Sequence, residues 1–195
     1  MQEPDTTWTD FALAALCAVF VVALLRAGGP ALLYALLFAA LGAAALLGGL
    51  WHGWVSGRRA GDGLWLAVML AVGLANAALW LIAGRVLGHP GPAGLFPALA
   101  WGQLALFAAI ALLGTRGFGL TSAFSLPPVL VLIVAHGLDG GPGHRFALAG
   151  FSLALVAAGL QAGKVALPRL RLGHNALYHL VQAVALTLVF LSAPT

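Results

Sequence analysis

"ALLYALLFAALGAAALLGGLWHGWV", residues 31–55, holds twenty-five residues without a single Asp, Glu, Lys or Arg. A helix needs roughly 20 predominantly apolar residues to cross the hydrocarbon of a bilayer. This run exceeds that length, so its reading decides the solvent in which the chain folds. The rest of the composition agrees. The chain has 195 residues, 62% hydrophobic and 7% charged. Soluble domains carry about 25% charged residues, so this chain cannot coat itself for water. Its 26 glycines and many alanines suit close approach between transmembrane helices.

Six further runs flank the first one: Phe11–Leu25, Gly63–Leu87, Leu95–Gly114, Leu120–Leu138, Arg145–Leu167 and Gly173–Leu191. Phe11–Leu25 is short unless the turn Thr7–Asp10 joins it. The breaks read "RAGGP", "SGRRAGD", "GHPGPAG", "TRGFGL", "DGGPGH" and "LPRLRLG". Each combines Gly or Pro with ionisable side chains, the composition of a turn at a membrane face. Pro127 and Pro128 fall inside the fifth run and are expected to delay or kink its helix, because proline removes a backbone donor. The fold expected is all-α: one domain over residues 1–195, a polytopic seven-transmembrane-helix bundle preceded by a short acidic segment, residues 1–10.

With seven spans, the N-terminus and the second, fourth and sixth loops share one side, called face A. It holds Arg58, Arg59, Arg116, Lys164, Arg169 and Arg171, against Arg26, Arg85 and Arg145 on face B. The positive-inside bias puts face A and the N-terminus in the cytoplasm, with a bacterial cytoplasmic membrane as the expected location. The basic residues are scattered, which argues against a nucleic-acid partner. Cys17 is the only cysteine, so no intrachain disulfide forms.

Polar side chains collect on face A. His52 lies near the end of the second run, Asp62 opens the third, and His174 and His179 open the seventh. Ionisable groups within spans are expensive and face the bundle interior. Imidazoles ligate zinc, and a catalytic zinc takes about three protein ligands and a water whose pKa the metal lowers. A carboxylate such as Asp62 would accept the water's proton. Spacing complicates a shared metal face, since residues five apart point roughly 140° apart on a helix. A π-bulge or an unwound start at Gly173 would reunite His174 with His179. Otherwise the polar stripe is Asn175, His179 and Gln182. The plainer roles are an interfacial His52 between Trp51 and Trp54, an Asp62 that only caps its helix, and Asn76, Gln103 and Gln161 as hydrogen-bond links between helices.

An aromatic–His pair ending the second run ("LWH", His52), an Asp beginning the third (Asp62) and the motif "NALYH" (residues 175–179) together resemble the CREST superfamily. That group includes alkaline ceramidases, the adiponectin and progestin receptors and membrane hydrolases that remodel GPI lipids. The resemblance implies a small, divergent bacterial-type member. It further implies a zinc ion held by the histidines of the second and seventh helices, His52 and His179, with His174 completing the shell. The Asp would assist the bound water, and a membrane lipid amide or ester would be the substrate. Asn175 stands where the family's first helix-7 His is expected, and Gly48 where a Ser is usual. Asn175 is therefore expected to position substrate, or to hydrogen-bond a water or His52. The alternative expectation is a non-enzymatic receptor or lipid-binding protein that keeps the polar pocket without metal. A small transporter is a third, disfavoured by continuous helices with little intramembrane charge.

Overall fold

The computed structural model describes residues 2–59, 61–89, 91 and 94–194. Seven α-helices occur among them: α1 (Pro4–Ala27), α2 (Ala31–Leu50), α3 (Gly61–Val86), α4 (Leu95–Leu112), α5 (Phe118–Asp139), α6 (His144–Ala162) and α7 (His174–Ser192). A π-helical turn, Trp51–Val55, extends α2, and a 3₁₀ turn, Pro168–Leu170, precedes α7. All seven spans are long and apolar enough to cross a membrane. The molecule is an all-α seven-helix membrane bundle.

Six helices close a ring. α1 packs on α2, α2 on α3, α3 on α5, α5 on α6, α6 on α7, and α7 returns to α1. α4 stands outside, packed along α3. The ring's centre is aromatic: Phe20 stacks on Phe190 at 4.2 Å, and Phe38 meets both edge-on. Its outer surface carries large apolar side chains such as Val19, Leu46, Trp101, Val134 and Val184. A water-soluble fold would bury such a surface, whereas lipid solvates it.

Two expected boundaries move. α1 begins at Pro4, not at Phe11. The turn Thr7–Asp10 joins the span, and Pro4 sits in the first turn, where its missing N–H costs nothing. α6 ends at Ala162, short of the expected Leu167, because residues 167–172 fold back in a single bridge between Leu167 and Leu172.

α5 runs unbroken through Pro127 and Pro128. A proline at 128 leaves the carbonyl four residues earlier without its helical donor. That carbonyl, on Phe124, instead accepts the Gln103 side-chain amide of α4 at 2.8 Å. Gln103 in turn accepts the Trp80 indole N–H at 2.7 Å. One glutamine thus ties α3, α4 and α5 together and repairs the proline gap. Asn76 makes a second link, accepting the Ser125 hydroxyl at 2.9 Å.

Candidate functional site

The polar residues of face A meet where the first two turns of α1 slide against the π turn and the start of α7. Glycines of α2 permit this approach. A Cβ at Gly49 would stand 2.8 Å from the Phe11 ring, and one at Gly48 would stand 3.3 Å from Asp10 Oδ2. The π turn closes with the Ser56 N–H donating to the Trp51 carbonyl at 2.9 Å. The wider ring loosens the helical ladder at its end, a feature often found at functional positions. It carries His52, whose ring lies edge-on to Trp51 and Trp65. The π-helical turn lies at the end of α2; α7 begins regularly at His174 with Gly173 extended, so the distortion that would reunite His174 with His179 is not found there.

Two imidazole–carboxylate pairs form here. His52 Nδ1 lies 3.1 Å from Glu3 Oε2, and His179 Nε2 lies 3.3 Å from Asp10 Oδ1. Asp10 and both imidazoles are largely enclosed, with side chains 5% and 12% exposed; Glu3 is 40% exposed. Glu3 also accepts the Asn175 amide at 3.1 Å, and the Asn175 oxygen accepts the Gln161 amide of α6. Asp5 accepts the Gly173 N–H at 2.7 Å. It thereby supplies the cap that Gly173 lacks, and it puts negative charge at the positive end of the α7 dipole. The start of α1 thus reaches α2 through Glu3, and α7 through Glu3, Asp5 and Asp10.

The Thr9 hydroxyl lies 3.0 Å from the carbonyls of both Asp5 and Thr6 and 3.2 Å from His179 Nδ1. The other ring nitrogen, Nε2, faces the Asp10 carboxyl. The Asp10–His179 contact is thus a buried imidazole–carboxyl pair, with the Thr9 hydroxyl orienting the ring from its far side.

His52 and His179 are thus brought into one polar cluster, with Asn175 between the two pairs through Glu3. His174 opens α7 half-buried, and its side chain makes no hydrogen bond among the described residues. Asp62 is exposed, and its side chain makes no hydrogen bond or ion pair among the described residues; its main-chain N–H donates to the Arg59 carbonyl at 3.2 Å and its own carbonyl accepts Arg116 at 3.4 Å. Gly61 is buried with its Cα against the Val55 carbonyl, and the next side chain, about 100° further round the helix, points outward. The acidic partners of the cluster are Glu3 and Asp10. Sequence reasoning left these out because it started the first span at Phe11. The available signal was their spacing: seven residues is two helical turns, one stripe, once Pro4 is read as a helix start.

Among the described residues no three His, Cys, Asp or Glu side chains stand together closely enough to hold one ion. Both His179 nitrogens are engaged. His52, His174 and His179 as placed do not form a three-ligand shell.

Three enclosed polar atoms of the cluster lack a hydrogen-bond partner among the described residues: Asp10 Oδ2, Gln161 Oε1 and His52 Nδ1, the last having only its ionic contact with Glu3. Two of these are acceptors, so the cluster is short of donors. Comparison with curated proteins and with solved structures finds no match. A family pattern matches residues 6–195, from the buried threonines ahead of Asp10 to the end of the chain. The chain belongs to the family of unknown function DUF6962.

Proposed function

We propose that this protein is a CREST-like membrane protein that binds the polar headgroup of a membrane lipid at face A without resident metal. The observation that carries the reading is the donor deficit of the buried cluster. Asp10 Oδ2 and Gln161 Oε1 are enclosed acceptors with nothing to accept, and an orphaned buried acceptor costs about 1–3 kcal/mol. A headgroup bearing an amide N–H, hydroxyls or an ammonium would satisfy both. The apolar outer surface delivers such a molecule from the bilayer. Face A lies in the cytoplasm by its excess of Arg and Lys, in a bacterial cytoplasmic membrane.

A second reading, hydrolysis of a lipid amide or ester, is favoured by one observation: Asp10 and His179 form a buried imidazole–carboxyl pair, the kind of pair general acid–base catalysis uses. A transport pathway is disfavoured by the Phe20–Phe38–Phe190 cluster. It fills the ring ten residues below Asp10, about 15 Å along the helix.

Native mass spectrometry of the purified full chain tests the reading, with zinc content and fatty-acid release from a ceramide and a phospholipid measured alongside. The expected result is a retained lipid near one per chain. Its occupancy should fall at least tenfold in Gln161→Leu and Asp10→Asn while helicity is unchanged, with no fatty acid released. Fatty-acid release that zinc stimulates and His179→Ala abolishes would establish the hydrolase instead.

A further inference from the structure

A cavity of about 540 Å³ opens at face B, the end of the ring opposite the His52–His179 cluster. Its volume lies within the roughly 300–1,000 Å³ of small-molecule sites. Four helices build it: the start of α2 (Leu33, Tyr34), the end of α3 (Ile82, Arg85) and the ends of α5 and α7 (His136, Ser192). The walls are otherwise apolar. Its shape depends on Gly143, whose φ of 81° only glycine adopts without strain. A Cβ there would stand 3.0 Å from Ser192 Cα. The loop before α6 can therefore close against the end of α7.

The polar lining is specific. His136 is 6% exposed, and its Nε2 has no hydrogen-bond partner. The ring is held flat against Phe151 of α6, with an interplanar angle of 23°. A packed imidazole with an unused nitrogen on a cavity is arranged for a ligand atom. Arg85 stands on the same cavity, is exposed, and pairs with no carboxylate among the described residues. The carboxylate at this end, Asp139, is turned to the Gly141 N–H at 3.2 Å and does not line the cavity. A guanidinium and an unpartnered imidazole thus line one cavity above apolar walls, beside Tyr34 and Ser192, whose hydroxyl is spent on the Val189 carbonyl at 2.7 Å.

We infer that this face-B cavity binds an anionic amphiphile, with its carboxylate or phosphate held by Arg85 and His136 and its acyl chain along Leu33 and Ile82. The site is separate from the face-A cluster, so its test stands apart from the headgroup reading above.

Binding of oleate, oleyl alcohol and inorganic phosphate to the purified full chain is measured by calorimetry in a non-ionic detergent. Oleate should bind saturably, at least tenfold tighter than oleyl alcohol. Arg85→Gln and His136→Leu should each weaken it tenfold or more, and Leu33→Trp should abolish it by filling the cavity. Asp10→Asn at face A should leave it unchanged. If His136→Leu does not fold, Arg85→Gln carries the test, because that side chain is exposed. Phosphate that fails to displace oleate identifies the lipid as the source of the anion. Phosphate that binds alone and displaces oleate fully overturns the acyl half of the assignment. Equal affinity for oleate and oleyl alcohol, or indifference to Arg85→Gln, overturns the whole of it.

Discussion

Asp10 and His179 meet in one buried contact, Nε2 to Oδ1 at 3.3 Å, with the Thr9 hydroxyl on the imidazole's other nitrogen. Removing one partner leaves the other buried and uncompensated, a loss of about 3–5 kcal/mol for buried charge pairs. Asp10→Ala and His179→Ala should each lower stability by roughly 3 kcal/mol, measured by denaturation in detergent. The double variant should lose clearly less than the sum, because the second deletion removes an already orphaned group. Strict additivity would show that the two side chains do not interact. Gly48 offers a gain at the same spot. Its Cβ would lie 3.3 Å from Asp10 Oδ2, so a Gly48→Ser hydroxyl can donate to that unpartnered oxygen. Gly48→Ser should be neutral or stabilising by about 1 kcal/mol. Gly49→Ser, driven into the Phe11 ring, should destabilise by about 1–3 kcal/mol. Thermal midpoints of the two variants decide between them. None of this was visible from His52 and His179 alone, since the acids that complete both pairs lie in the first ten residues.

At the scale of elements, α5 shows how a membrane helix tolerates two prolines. The freed Phe124 carbonyl is answered from α4 by Gln103. Interhelical hydrogen bonds in membrane proteins contribute about 0.6 to 2 kcal/mol each. Gln103→Leu, which breaks the bonds to both Phe124 and Trp80, should cost about 1–2 kcal/mol. Its effect should fall by about half in a Pro128→Ala background, where Phe124 regains its helical donor and only the Trp80 bond is lost. An undiminished loss there would mean that Gln103 acts only through Trp80. The π turn obeys a similar logic. Its loosened end receives the chain terminus, with the Gln2 N–H donating to the Gly53 carbonyl at 3.3 Å. The seven apolar runs were legible because length and hydropathy decide membrane helices locally. The π turn was not, because its widened ladder is stabilised by contacts with the start of α1 and with Gly61 and Trp65 of α3.

Across the whole molecule, the ring separates two polar ends by a packed aromatic centre. Face A is an acid-rich hydrogen-bond cluster, whereas face B holds a cavity lined by the Arg85 guanidinium. Topology gives a direct test of which end faces the cytoplasm. In a Cys17→Ala background, single cysteines at Ser56 (face A) and His89 (face B) should differ in intact bacterial cells. His89→Cys should react with an impermeant maleimide from outside, and Ser56→Cys only after permeabilisation. The reverse pattern would invert the orientation. The aromatic centre should also keep the bundle closed to ions, so vesicles containing the protein should dissipate a proton gradient no faster than empty ones.

The apolar spans, the number of helices, the turns and the end of the bundle at which His52, His174 and His179 sit were written in the sequence. Each depends on residues near one another in the chain: twenty apolar side chains, a glycine or proline, a nearby arginine. Tertiary structure alone decided what the histidines meet. Glu3 and Asp10 lie 49 and 169 positions from the imidazoles they pair with, and Glu3 lies 172 from Asn175. A buried charge finds its partner by depth and by which helices adjoin. That α1 adjoins both α2 and α7 follows from closing the ring, which no local pattern encodes. The same closure turned Asp62 outward and put His136, unremarkable as a helix-end residue, on the wall of a cavity.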